Sequence, residues 1–245
     1  MTRLYRTASG TLDPLYGSSD SLPPWFQGAY RGFRRIILGS DPLFPCYFAP
    51  IAERHGSLLY SFLSRKEALV DGVVYSILDD FLFCAEKLEP FPVLALFVET
   101  ERMTIGLKDD EVLFWKLVNR INHTRTDWGS SESDATNPRW LLKYKQTPIF
   151  VTGHSPYYRT RLSRYADYCL TLVIQEKQNL TKISQDPAKL KEVMNRIRNL
   201  VDKYDKEPRC PLLGFYGSEN VFDWKQFWLP DSNEFNDLSC KIEGP

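Results

Sequence analysis

Residues 93–98 read Val-Leu-Ala-Leu-Phe-Val, an apolar run with no polar break. A strand with one wet face alternates apolar and polar side chains, because successive side chains point to opposite sides. An unbroken run is stable where both faces are covered. This segment therefore calls for a sheet with helices packed on both sides. The runs 57–63 (SLLYSFL) and 169–175 (CLTLVIQ) read as further strands, with shorter strand segments at 140–144 and 149–152.

Between these runs the apolar period changes from two to 3.6. Ser64 and Glu67 have capping-box spacing. Behind them Leu69, Val70, Val73, Val74, Ile77, Leu78, Phe81, Leu82 and Ala85 mark one helix face. Residues 25–38 and 110–122 are helical by the same pattern, and 156–165 reads as a short helix. Asp186 before Pro187 starts a helix whose face runs through Leu190, Val193, Met194, Ile197, Leu200, Val201 and Tyr204. Strands alternating with helices predict an α/β fold, with α+β as the alternative: a mixed central sheet covered by helices in one compact domain. That domain is expected over 25–235. Residues 1–24 read as a flexible arm and 236–245 as a tail.

Apolar residues make up 43% of the 245, enough for a large core. Thirty-one Lys and Arg balance 31 Asp and Glu, so no net charge draws the chain to nucleic acid or an anionic membrane. No apolar run reaches transmembrane length, and the first residues lack a signal-peptide core. Five cysteines without a CxxC pair argue against a disulfide framework or a zinc site. A cytoplasmic protein is expected.

No P-loop, GxGxxG, HExxH or GxSxG motif occurs. A haem site asks for less: one imidazole or thiolate for the iron, apolar walls, and cations for the propionates. The segment 152–164 carries His154, expected in a loop after a strand, with Arg159, Arg161 and Arg164 close behind. The alternative is a satisfied loop histidine beside a solvated basic face. His123 suits a helix C-terminus, His55 a turn before Gly56, and Cys46 a buried inert thiol. The aromatic run 223–228 either closes a pocket or packs the tail against the core.

The chain resembles the YqcI/YcgG family over about residues 40–233. The matching blocks are Phe44-Pro45-Cys46 through Ala52, Gly56-Ser57-Leu58 and Tyr60; then Phe114-Trp115, Leu117, Asp127-Trp128, Pro138 and Trp140. They continue with Pro148-Ile149-Phe150-Val151, Arg161 and Ser163-Arg164. The last runs from Tyr204-Asp205 through Pro208, Leu213-Gly214 and Tyr216-Gly217 to Trp224-Lys225-Gln226 and Leu229-Pro230-Asp231. The resemblance implies a haem-dependent N-oxygenase (a monooxygenase) that uses O2 to hydroxylate a guanidine or amine nitrogen, as of arginine, in small-molecule biosynthesis. It implies haem b, an external electron donor and an iron ligand. The histidine near the end of the 110–122 helix is displaced by one position from the family pattern, at His123. His154 lies four residues before the place near Tyr158 where relatives carry one. A branch of the family with a histidine ahead of a proline and an arginine cluster fits His154 better, so His154 is the first choice of ligand, His123 the second and Cys46 the third. Arg159, Arg161 and Arg164 would hold propionates or a substrate carboxylate. Glu99, Asp127 and Asp223 are the carboxylates for a cationic substrate. A haem-binding protein without oxygenase activity, and an enzyme of another class on the same scaffold, stay open.

Overall fold

The computed structural model describes residues 3–17, 21–100, 106–130, 133–183, 186–214, 220–234 and 239–244. In chain order the elements are β1 (Tyr5–Ala8), β2 (Thr11–Pro14), α1 (Pro24–Ile37), α2 (Phe48–His55), β3 (Leu58–Leu63), α3 (Asp71–Ala85) and β4 (Val93–Val98). There follow α4 (Leu107–His123), β5 (Lys143–Tyr144), β6 (Thr147–His154), β7 (Leu170–Glu176), α5 (Asn179–Ile183) and α6 (Pro187–Tyr204). The strands form one sheet in the order β2-β1-β3-β4-β7-β6-β5. Among the described strands only β3 and β4 pair in parallel, and α3 makes the crossover that such a pair requires. All other pairings are antiparallel, so the sheet is mixed.

The unbroken run of β4 is buried on both faces, as its sequence demands. Leu94, Leu96 and Val98 enter a core with α3 and α4 residues such as Phe81 and Leu117. Val93, Ala95 and Phe97 enter a second core with α1 and α2 residues such as Phe33 and Ala52. Phe97 stacks on Tyr60, meets Phe33 edge to face and packs at a tilt on Phe26. Each such side chain contributes about 1.5–3 kcal/mol when buried.

The stretch 1–24 is not a loose arm throughout. Ser9 and Gly10, both at positive φ, turn β1 into β2, and β1 extends the sheet beside β3. Buried Glu53 of α2 anchors this hairpin: its carboxylate accepts from Thr7 (2.9 Å), Arg34 (2.5 Å) and Tyr60 (2.7 Å). In the tail, Asn119 and Asn122 of α4 bond the backbone of Lys241 and Glu243.

Other boundaries shift as well. Ser64 and Glu67 do exchange hydrogen bonds, but they cap a single 3-10 turn, 67–69, and α3 begins two residues later. Leu69 and Val70 are accordingly exposed. Residues 156–165 form a loop with a 3-10 turn at 162–164. Among the described residues no helix is long and apolar enough to cross a membrane.

Candidate functional site

β6 carries a period-2 division of labour. Ile149 and Val151 face the core shared with α3 and α4. Pro148, Phe150, Thr152 and His154 point the other way and line a cleft of about 800 Å³. The register sets Val173 and Gln175 of β7 beside Thr152 and Phe150, and both also line the cleft. Leu190, Met194, Ile197 and Val201, the apolar face of α6, form the opposite wall. Of these four only Val201 is fully buried, because the stripe borders the cleft instead of packing on the sheet. Asp186 starts this helix by accepting from the Ala188 backbone N–H (2.9 Å). The segment 44–49, with Cys46, makes a third wall.

His154 is the last residue of β6, not part of a following loop. The strand continues to it because it pairs with Thr171 of β7. Its Nε2 lies 2.9 Å from Thr152 Oγ1, and its Nδ1 has no hydrogen-bond partner among the described residues. Burial, reinforced by the Arg164 guanidinium, holds its pKa well below the ordinary histidine value. The imidazole is therefore neutral at physiological pH, the form that binds a metal. The preceding Gly153 is equally constrained. A Cβ there would overlap the rings of Trp228 and Phe114, and its N–H donates to Phe227 O (2.8 Å). Glycine at 153 thus lets the segment 227–229 close against the strand that carries His154.

The three arginines separate. Arg164 lines the cleft, buried, with Nη2 donating to Gln226 O (2.7 Å). Arg161 is fully buried outside the cleft wall. It donates to Pro230 O (2.5 Å) and Asn233 Oδ1 (2.9 Å) and lies 3.7 Å from Asp205. Arg159 is exposed, and its backbone N–H bonds Asp231. Asp231 accepts from the N–H groups of residues 159, 160 and 161, which fixes the loop and points only Arg164 inward. His123 ends α4 with Nε2 3.1 Å from Gly244 O, and His55 ends α2; neither lines the cleft. Cys46 does, with its thiol pushed up by burial.

Of the three candidate carboxylates, Asp223 alone reaches the cleft. One oxygen pairs with Lys177 and the other, Oδ1, has no partner among the described residues. Burial raises its pKa against the pull of Lys177. Asp127 is committed to Arg125 (2.8 Å) and Lys143 (2.6 Å), which hold its carboxyl well below the usual range. Glu99 follows β4 and is not among the cleft residues. Gln175 and Lys177 were not singled out from sequence; the alternation of β7, continued one residue past Glu176, is the signal that reaches them.

A model of the YqcI/YcgG family matches residues 33–241. The chain belongs to the YqcI/YcgG family. It is 29% identical to the uncharacterized protein YqcI of Bacillus subtilis over 237 residues, 94% of this chain and 91% of that one. It is 26% identical to the uncharacterized protein YcgG of the same organism over 126 residues, 51% of this chain and 49% of the relative. A Streptomyces lavendulae protein, DcsA, is 22% identical over 223 residues, 87% of this chain and 82% of that one. DcsA is named, provisionally, as an N(omega)-hydroxy-L-arginine synthase. No solved structure matches the chain significantly.

Proposed function

We propose that this YqcI/YcgG protein is a haem-dependent oxygenase that hydroxylates a guanidine or amine nitrogen of a small molecule such as arginine. The observation that carries this reading is the presence, in one cleft, of a buried neutral imidazole and a buried carboxylate with one oxygen that has no partner among the described residues. The name of DcsA supports the substrate class.

The residues fit an iron porphyrin. His154 offers a neutral nitrogen donor, with Cys46 as the thiolate alternative on another wall. The cleft lies within the roughly 300–1,000 Å³ typical of cofactor pockets. Leu190, Met194 and Ile197 supply an apolar wall for a macrocycle, and Arg164 a cation for a propionate. When bound, the group would supply O2 activation, with electrons from an external donor.

The chain's own residues would do the rest. Asp223 accepts hydrogen bonds from a cationic guanidinium, and the Oε1 of half-buried Gln175, which has no partner among the described residues, is a further acceptor lining the cleft. Lys177 holds Asp223 in orientation and opposes the effect of burial on it. The α6 wall and Phe150 exclude water from the reacting nitrogen.

The test is an absorption spectrum of protein expressed with haem supply, followed by turnover with arginine, O2 and a reductant. A Soret band that His154→Ala abolishes or shifts, with His123→Ala unchanged, is the expected result. A product heavier than arginine by one oxygen should form, and Asp223→Asn should lower its yield at least about tenfold, from loss of a charge-assisted contact. Protein that takes up no haem would overturn the reading. An unchanged His154→Ala spectrum would remove that residue as ligand.

A further inference from the structure

The helix α6 is one wall of the cleft, and its two sides differ in charge. Leu190, Met194, Ile197 and Val201 line the cleft, at the spacing of one helix face. The remaining surface is basic: Pro187–Tyr204 contains five Lys or Arg against Glu192 and Asp202. Lys189, Arg196 and Lys203 recur every seven residues, two turns apart, and form one stripe about 21 Å long. All three are exposed, as is Lys191 on the opposite flank. Among the described residues none of these four is held in an ion pair. Asp202, by contrast, is committed to Arg209.

The other side of the sheet has the opposite bias. The helix α3 packs on the core that Ile149 and Val151 enter, away from the cleft. It contains Asp71, Asp79 and Asp80 and no Lys or Arg. The zero net charge of the chain thus conceals a separation of charge, with the basic side over the cleft wall.

We propose that the outer face of α6 is the docking surface for an acidic one-electron carrier protein, the external donor that the oxygenase reading requires and on which this inference rests. A helix with its side chains is about 10–12 Å across. A carrier seated on the stripe is therefore one helix away from a group against the inner wall, close enough for electron tunnelling. One electron passes, the carrier is oxidised, ferric iron is reduced to ferrous, and no atom is transferred. Complementary charge mainly speeds such an encounter, and salt weakens it. Glu192, between Lys189 and Arg196 in the sequence, repels a continuous row of phosphates. A folded protein can set a cation opposite it.

The first test is calorimetric titration of the full chain, without hemin, with an acidic [2Fe–2S] ferredoxin at low salt. A Kd of about 10–100 μM is expected, rising at least about tenfold at 0.2 M salt. Lys189→Glu/Arg196→Glu/Lys203→Glu should weaken binding at least about tenfold, and the neutral Lys189→Gln/Arg196→Gln/Lys203→Gln about three- to tenfold. Arg65→Glu/Lys66→Glu/Lys87→Glu makes the same change of charge at exposed positions outside α6 and should weaken it less than about threefold. With hemin bound, the α6 charge reversal should slow reduction by the ferredoxin at least about tenfold, and reduction by dithionite less than about twofold. No binding, unchanged binding in the α6 variants, equal loss in the remote variant, or tighter binding of a DNA duplex or of phosphatidylserine vesicles would each overturn the proposal. Failure to take up hemin is read separately, as a missing Soret band, and counts against the oxygenase reading itself.

Discussion

The two ends of the sheet use apolar residues differently. Around β3 and β4 every apolar side chain meets another: Phe97 touches three rings, and both faces of the strands end in packed core. Around β6 and β7 one face is packed, and the other, though Val173 still touches the second core, borders the cleft. The helix opposite, α6, has a clean amphipathic sequence, yet most of its apolar stripe is only half-buried. Apolar surface that the fold itself leaves uncovered costs about 25 cal/mol per Å². Its retention at one end of the sheet is the feature on which the proposed prosthetic-group site rests.

This contrast predicts that truncation at the two ends has different consequences. Phe97→Ala should cost about 3–5 kcal/mol in denaturant unfolding. Met194→Ala should cost under about 1 kcal/mol yet weaken hemin binding several-fold. Equal stability losses would erase the distinction.

A second prediction concerns Asp110 of α4, buried on the packed side and bonded to Ser155 (2.6 Å). Burial raises its pKa from 3.8 to about 6. The folded chain then holds this proton more tightly than the unfolded chain. The resulting stability is present below the unfolded value of 3.8 and is lost as pH rises to about 6. Asp110→Asn should flatten that slope and gain up to about 3 kcal/mol above pH 6, with little change near pH 4. A parallel pH profile in the variant would contradict this.

A smaller effect tests the junction between the two regions. Gly153→Ala inserts a methyl group against Trp228 and Phe114 and should cost about 1–3 kcal/mol. It should also disturb the hemin spectrum, because Gly153 adjoins His154. A destabilised variant with an unaltered spectrum would detach the aromatic wall from the site.

Local patterns made much of the fold legible in sequence. The β4 run and the Asp186-Pro187 start of α6 are written in adjacent residues. The helix α2 is less legible, with a proline inside its eight residues, and β1 and β2 are short and polar, held by pairing with each other and with β3. At the site, sequence brought forward His154, Cys46, Arg164 and Asp223, all of which the fold gathers in one cleft. It had no means to separate Arg164 from Arg159 and Arg161, because the choice is made by Asp205 and Asp231, more than 40 residues away. Nor did spacing distinguish Asp223 from Asp127, whose partners Arg125 and Lys143 form a separate ionic cluster.

Amide hydrogen exchange with and without hemin tests the uncovered face most directly. Residues 187–204 and 147–154 should become protected when hemin is added, while 71–85 and 93–98 exchange as before. Exchange in α6 that is indifferent to hemin would contradict a prosthetic group seated between that helix and the sheet.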